Sequence, residues 1–127
     1  MKKLEVEMII ERDQSNLTGR ITYNDNLIIE NADTVRELEE KLKVLLFDFE
    51  EVHADDVVFN HVYDVFALFH QFDFLNIGKV AQRAGINAGL LRQYASQVKY
   101  PSAKQALKIE DTIHKLAAEM SKVAVYA

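Results

Sequence analysis

Apolar and polar residues alternate from the start of the chain. In LEVEMIIER, residues 4–12, Leu4, Val6, Met8 and Ile10 fall on one side and Glu5, Glu7 and Glu11 on the other. A period of two is that of a strand with one buried face. DQSNLTG then reads as a turn, GRITYN as a second strand, Asn24-Asp25-Asn26 as another turn and LIIE as a third short strand, so the chain opens with a three-stranded meander. After that the period changes. Thr34 and Glu37 have the spacing of a capping box, and Val35, Leu38, Leu42, Leu45, Leu46 and Phe49 recur at helical intervals, which predicts one helix covering the sheet. VVFNHVY, residues 57–63, predicts a fourth strand.

Past Asp64, a candidate N-cap, Val65, Phe66, Leu68, Phe69 and Phe72 no longer follow the strand period, and a helical module begins. Further helices are expected at about residues 77–84, 88–96 and 103–121. The start of the last is marked by Pro101 and by a second capping box, Ser102 with Gln105. Its Ala106, Ile109, Ile113, Leu116 and Met120 form a stripe that packs on the preceding helices or pairs with a second copy, and the tail VAVY is a candidate strand in that pairing. The expected fold class is α+β. Residues 1–63 form a small antiparallel sheet with one covering helix, and residues 64–127 an all-α module of about four helices.

Composition supports a folded chain and removes several functions. Of 127 residues, 49% are hydrophobic and 28% charged, the balance of an ordinary globular protein. No apolar run approaches the ~18 residues of a membrane span, and MKKLEVEMIIERD lacks the apolar core of a signal peptide, so a cytoplasmic location is expected. The absence of cysteine excludes disulfides, thiol catalysis and cysteine-ligated zinc. His53, His61, His70 and His114 are scattered, with no pair at the i, i+4 spacing that sets two ligands on one helical face. Asp55 and Asp56 read as a solvated turn. No metal, cofactor or enzymatic activity is expected.

The net charge of −5 conceals an asymmetry. Residues 1–63 carry fifteen Asp or Glu against seven Lys or Arg, whereas Phe74 to Ile109 holds Lys79, Arg83, Arg92, Lys99, Lys104 and Lys108 and no acid. A basic segment joined to an acidic one suggests that one end binds a polyanion and the other a different partner.

The basic segment contains LNIGKVAQRAGINAGLLRQYASQVKYPS, residues 75–102. Where one helix crosses another closely, the crossing point requires a very small side chain and the turn a residue tolerant of positive φ. Ala81 and Gly85 meet those demands. Val80, Ala84, Ile86, Leu91 and Tyr94 then point inward and Asn87 caps the second helix. Ala88, Gly89, Arg92 and Gln93 face outward. Small residues let the backbone sink into a major groove, Gln93 can bond an adenine edge, Arg92 a guanine or a phosphate, and Lys99 and Tyr100 meet phosphates. Asn76 and Lys79, at the start of the first helix, complete the candidate set. Gly78 and Gly89 each weaken their helix by roughly 1 kcal/mol relative to alanine.

VAQRAGINAGLLRQYA followed by KYPS resembles the Cro/lambda-repressor-like helix-turn-helix family. With the strand meander, helix and strand ending VYDVFALFHQF in front of it, nearly the whole chain resembles the HicB-type antitoxins. That resemblance implies a partial RNase-H-like N-terminal domain that binds and silences a small basic, mRNA-cleaving HicA-type toxin. It also implies a C-terminal module that represses the operon on a double-stranded DNA operator, and because two-fold sites need two recognition helices ~34 Å apart, a homodimer is expected. An RNA-cleaving partner carries a basic surface, so Glu5, Glu7, Glu37, Glu39 and Glu40 are the candidate contacts to it. Two alternatives stay open: a stand-alone helix-turn-helix regulator whose first domain binds a ligand or dimerises, and a helical hairpin in a protein that binds no DNA.

Overall fold

A computed structural model describes residues 3–13 and 15–127. Among these the chain is α+β, with four strands and five α-helices in the order β1 (Leu4–Arg12), β2 (Leu17–Tyr23), β3 (Asn26–Ala32), α1 (Val35–Glu50), a short 3-10 turn (Ala54–Asp56), β4 (Val57–Tyr63), α2 (Val65–Gln71), α3 (Ile77–Ala84), α4 (Ala88–Ala95) and α5 (Ala103–Met120). Two compact units result, Met1–Leu68 and Phe69–Ala127. The division falls inside α2, past the junction at residues 63–64 read from the end of the strand period. No helix among the described residues is long and apolar enough to cross a membrane.

In the first unit the strand order is β3-β2-β1-β4. β1, β2 and β3 form the expected antiparallel meander. β4 lies parallel to β1, with Leu4 opposite Val57 through Ile10 opposite Tyr63. Parallel neighbours require a long crossover, and α1 with the 3-10 turn supplies it. The first turn closes sooner than DQSNLTG suggested: Asp13 Oδ1 accepts the N–H groups of Ser15 and Asn16 at 2.8 and 2.9 Å, and β2 begins at Leu17. Gln14 of that stretch, like Met1 and Lys2, lies outside the described residues. Asn24 and Asp25, at φ 50° and 64°, make the second turn with the left-handed pair that suits a twisted hairpin.

α1 starts as its capping pair predicted, Thr34 Oγ1 accepting the Glu37 N–H at 3.1 Å. Its Leu38, Leu42 and Leu46 are fully buried against Val6, Met8, Ile10, Leu17, Ile21, Ile28 and Phe59 of the sheet. Gly19 makes that approach possible. It is buried within β2, and a β-carbon there would stand 3.2 Å from both Leu38 methyls. Phe49, expected inward, is 71% exposed. The chain reverses at Glu51 (φ 57°), and Val52 packs against the core at that end instead.

In the second unit α3 and α4 are joined by residues 85–87, and α5 packs on α3. Val80, Ala81, Ile86, Leu91, Tyr94 and Ile109 are buried there, with Ala84 half-buried. The inward side of α5 is rotated from the expected stripe. Ile109 and Thr112 are buried, Gln105, Ile113 and Leu116 half-buried, and Ala106 and Met120 exposed. Thr112 tolerates burial because its hydroxyl donates to the Lys108 carbonyl at 2.8 Å. After Met120 the tail adopts no regular structure, and Val123, Val125 and Tyr126 are exposed.

Candidate nucleic-acid interface

α3 and α4 begin alike. Asn76 Oδ1 accepts the Lys79 N–H at 2.9 Å, and Asn87 Oδ1 accepts the Leu90 N–H at 3.1 Å. Each cap satisfies one of the donors left unpaired in the first helical turn, an effect of about 1 kcal/mol. A glycine follows each capping residue two positions on, Gly78 and Gly89. A β-carbon on Gly89 would lie 3.1 Å from the Asn87 cap oxygen, so the absence of a side chain there leaves the cap its room. Gly85 adopts φ 71°, and Ile86 N–H donates back to the Ala81 carbonyl at 3.0 Å. This closure requires positive φ at Gly85. It turns the chain in three residues and seats Ile86 in the core, while Ala81, fully buried, has the small side chain that close packing of helices favours.

α4 presents Gly89 and Arg92 as exposed residues, with Ala88 and Gln93 half-buried. Arg92 reaches toward α3: one guanidinium nitrogen lies 3.4 Å from the place a β-carbon on Gly78 would take. Arg92, Asn76 and the exposed Lys79 therefore gather around the first turn of α3, the end with unpaired N–H groups and positive dipole. At the other end of α4 Gln97 takes φ 66°, and the Val98 and Lys99 N–H groups both donate to the Gln93 carbonyl, at 2.9 and 3.2 Å. This reversal brings Lys99 and Tyr100, both exposed, to the C-terminal end of α4. Arg92 itself lies in the last turn of α4, so the candidate cations gather at the start of α3 and around the C-terminal end of α4.

The acid-free stretch is not wholly unpaired in space. Arg83 Nη1 lies 2.9 and 3.1 Å from the two carboxylate oxygens of Glu119, which ties the end of α3 to α5 and neutralises one of the six cations. Glu119 lies outside the stretch in sequence, so the charge count could not reveal the pair.

The acidic candidates of the first unit separate into two sets. Glu5 and Glu7 are exposed on the sheet face opposite α1, because Val6, Met8 and Ile10 face the helix. Glu37 and Glu40 are exposed on α1, and Glu40 pairs with Arg36 at 3.3 Å. No single flat partner surface reaches both sets across a sheet and a helix. Glu39 is also engaged, its carboxylate 2.6 Å from His61 Nε2 on β4. The same carboxylate and, more strongly, burial raise the pKa of Tyr63 above its ordinary 10.0. A shallow concavity of about 260 Å³ lies on the open sheet face, with Glu5, Glu7, Ile9 and Arg20 among its lining residues. No group of three His, Asp or Glu among the described residues could hold a metal ion.

No family model, no curated protein and no solved structure matches the chain.

Proposed function

We propose that the chain is a DNA-binding antitoxin that represses its own operon. In this reading α3 and α4 are a helix-turn-helix, α4 being the recognition helix. The observation that carries the proposal is the Ala81–Gly85–Ile86 closure. It supports a fixed, tight crossing of two short helices that leaves the Gly89 and Arg92 side of α4 uncovered among exposed cations. Arg92 serves a phosphate or a guanine near the start of α3, Gln93 an adenine edge, and Lys99 and Tyr100 phosphates at the far end.

The first unit is then an incomplete RNase-H-like fold that blocks a small basic mRNA-cleaving toxin. Its support is the sheet order, three antiparallel strands with a fourth parallel to the first, and the acid excess of residues 1–63. A homodimer follows from the DNA, since two-fold operators place recognition helices ~34 Å apart. Ala106, Met120 and the tail, exposed beside the packed side of α5, offer the surface for it. The alternative, a stand-alone regulator with a ligand in the first unit, would use the sheet-face concavity.

The test is titration of the purified full chain with its upstream DNA and with unrelated DNA. Tight binding to the upstream DNA alone, by a dimer in light scattering, is expected. Equal affinity for both sequences rejects the repressor role. Growth rescue by co-expression with the adjacent reading frame tests the antitoxin role separately.

A further inference from the structure

The face of α1 turned away from the sheet is not uniformly polar. Val44 and Phe47 stand there 59% and 50% exposed, although an amphipathic helix with its core stripe at Leu38, Leu42 and Leu46 has no structural need of them. They are adjacent, one helical turn apart, and not isolated. With Ala54 from the 3-10 turn they line a groove of about 520 Å³. The His53 ring stands beside Phe47, centroids 5.3 Å apart and planes at 48°, and lengthens the apolar wall. Around the opening are Glu40, Asp48 and Asp55 against a single Lys43. Glu37 on the helix and Glu51 at its C-terminal cap are exposed as well.

We propose that this groove seats an apolar side chain of a basic protein partner, whose flanking Arg or Lys residues meet Glu40, Asp48 and Asp55. Charge selects that occupant. A second copy would bring the fifteen acids and seven bases of residues 1–63 against an acidic rim, and like charges oppose such a contact. A cationic surface is instead drawn to it, and the apolar anchor removes Val44 and Phe47 from water. The inference rests on the antitoxin reading for the partner's identity, the RNA-cleaving toxin. It assigns the contact to the helix side of the sheet and leaves Glu5 and Glu7 outside it.

Calorimetric titration of the full chain with the purified product of the adjacent reading frame, at low and high salt, tests the surface. Phe47→Glu should weaken binding by ~30-fold or more, the scale of a central anchor, while its thermal melt stays that of the parent. Glu40→Lys/Asp48→Lys should also weaken it and flatten its salt dependence, and Glu5→Lys/Glu7→Lys should bind as the parent does. Parental affinity in Phe47→Glu, together with loss in the Glu5/Glu7 variant, overturns this site and leaves the antitoxin reading standing. If the unaltered chain does not bind the neighbour at all, both fall. A molecular mass that halves in Phe47→Glu makes the groove a self-interface and also overturns the proposal.

Discussion

Gly78 of α3 and Arg92 of α4 meet across the helix pair: a β-carbon on Gly78 would lie 3.4 Å from an Arg92 guanidinium nitrogen and 3.4 Å from the Asn76 cap oxygen. A small residue at position 78 therefore leaves Arg92 its place, although glycine itself costs the helix roughly 1 kcal/mol relative to alanine. A methyl fits at that distance, and a larger side chain does not. Gly78→Ala should stabilise the protein by ~0.5–1 kcal/mol with little change in operator affinity. Gly78→Leu should displace Arg92 and reproduce the binding loss of Arg92→Ala, ~1–3 kcal/mol if the guanidinium reads a base. If Arg92 contacts only phosphate, its removal should resemble Lys99→Ala, weakening binding to every sequence and reducing the salt slope. Titrations at two salt concentrations on matched and scrambled operators separate these outcomes.

Gly19 should be among the least replaceable residues of the first unit. With both Leu38 methyls 3.2 Å from the added carbon, Gly19→Ala requires Leu38 or α1 to give by a few tenths of an ångström in a packed core, a cost of ~1–3 kcal/mol. Leu38→Ala creates the space it needs, so the double variant should lose less than the sum of the two single changes. Urea unfolding of the three variants measures the coupling.

Gln105 offers a stabilising change. Its Oε1 is buried without a hydrogen-bond partner, although Ser102 Oγ accepts the Gln105 N–H at 3.2 Å. The capping box read from the sequence thus rests on the hydroxyl half. Gln105→Met keeps the backbone bond and the volume while removing the unpaired acceptor, and should gain about 1 kcal/mol. An unchanged or lower unfolding midpoint counts against it.

Tyr63 sets an alkaline limit. Burial first, and the Glu39 charge second, raise its pKa above the ordinary 10.0, so the folded state holds the phenolic proton longer than the unfolded chain. The stability this contributes is complete below that ordinary value and is lost as pH rises from it through the folded pKa. Stability should fall above pH ~10, and Tyr63→Phe should remove part of that fall. Spectrophotometric titration of the tyrosinates should show one group fewer ionising late in the variant.

Much of this protein was legible in its sequence where the causes are local. The alternation of Val6, Met8 and Ile10 with Glu5 and Glu7 placed β1 and its faces, since a strand's side chains alternate whatever it pairs with. The Thr34, Asp64, Asn87 and Ser102 oxygens marked helix starts, because a cap bonds an N–H three residues away. Gly85 marked the turn, because few other residues adopt its φ at no cost. Ala81, read as the point of closest helix approach, is fully buried.

Only the tertiary structure decided the rest, and in each case the deciding partner is distant along the chain. β4 pairs parallel to β1 across an intervening helix. Gly19 is buried in a strand because Leu38 lies over it. Arg83 loses its free charge to Glu119, thirty-six positions away. On α5, apolar residues cover more of the circumference than α3 can bury. The packing, not the pattern, chose Ile109 and Thr112 over Ala106 and Met120. Which acids share a surface was likewise invisible in a list of glutamates. Side-chain direction on β1 sends Glu5 and Glu7 to one side of the sheet, and the crossover of α1 puts Glu37 and Glu40 on the other.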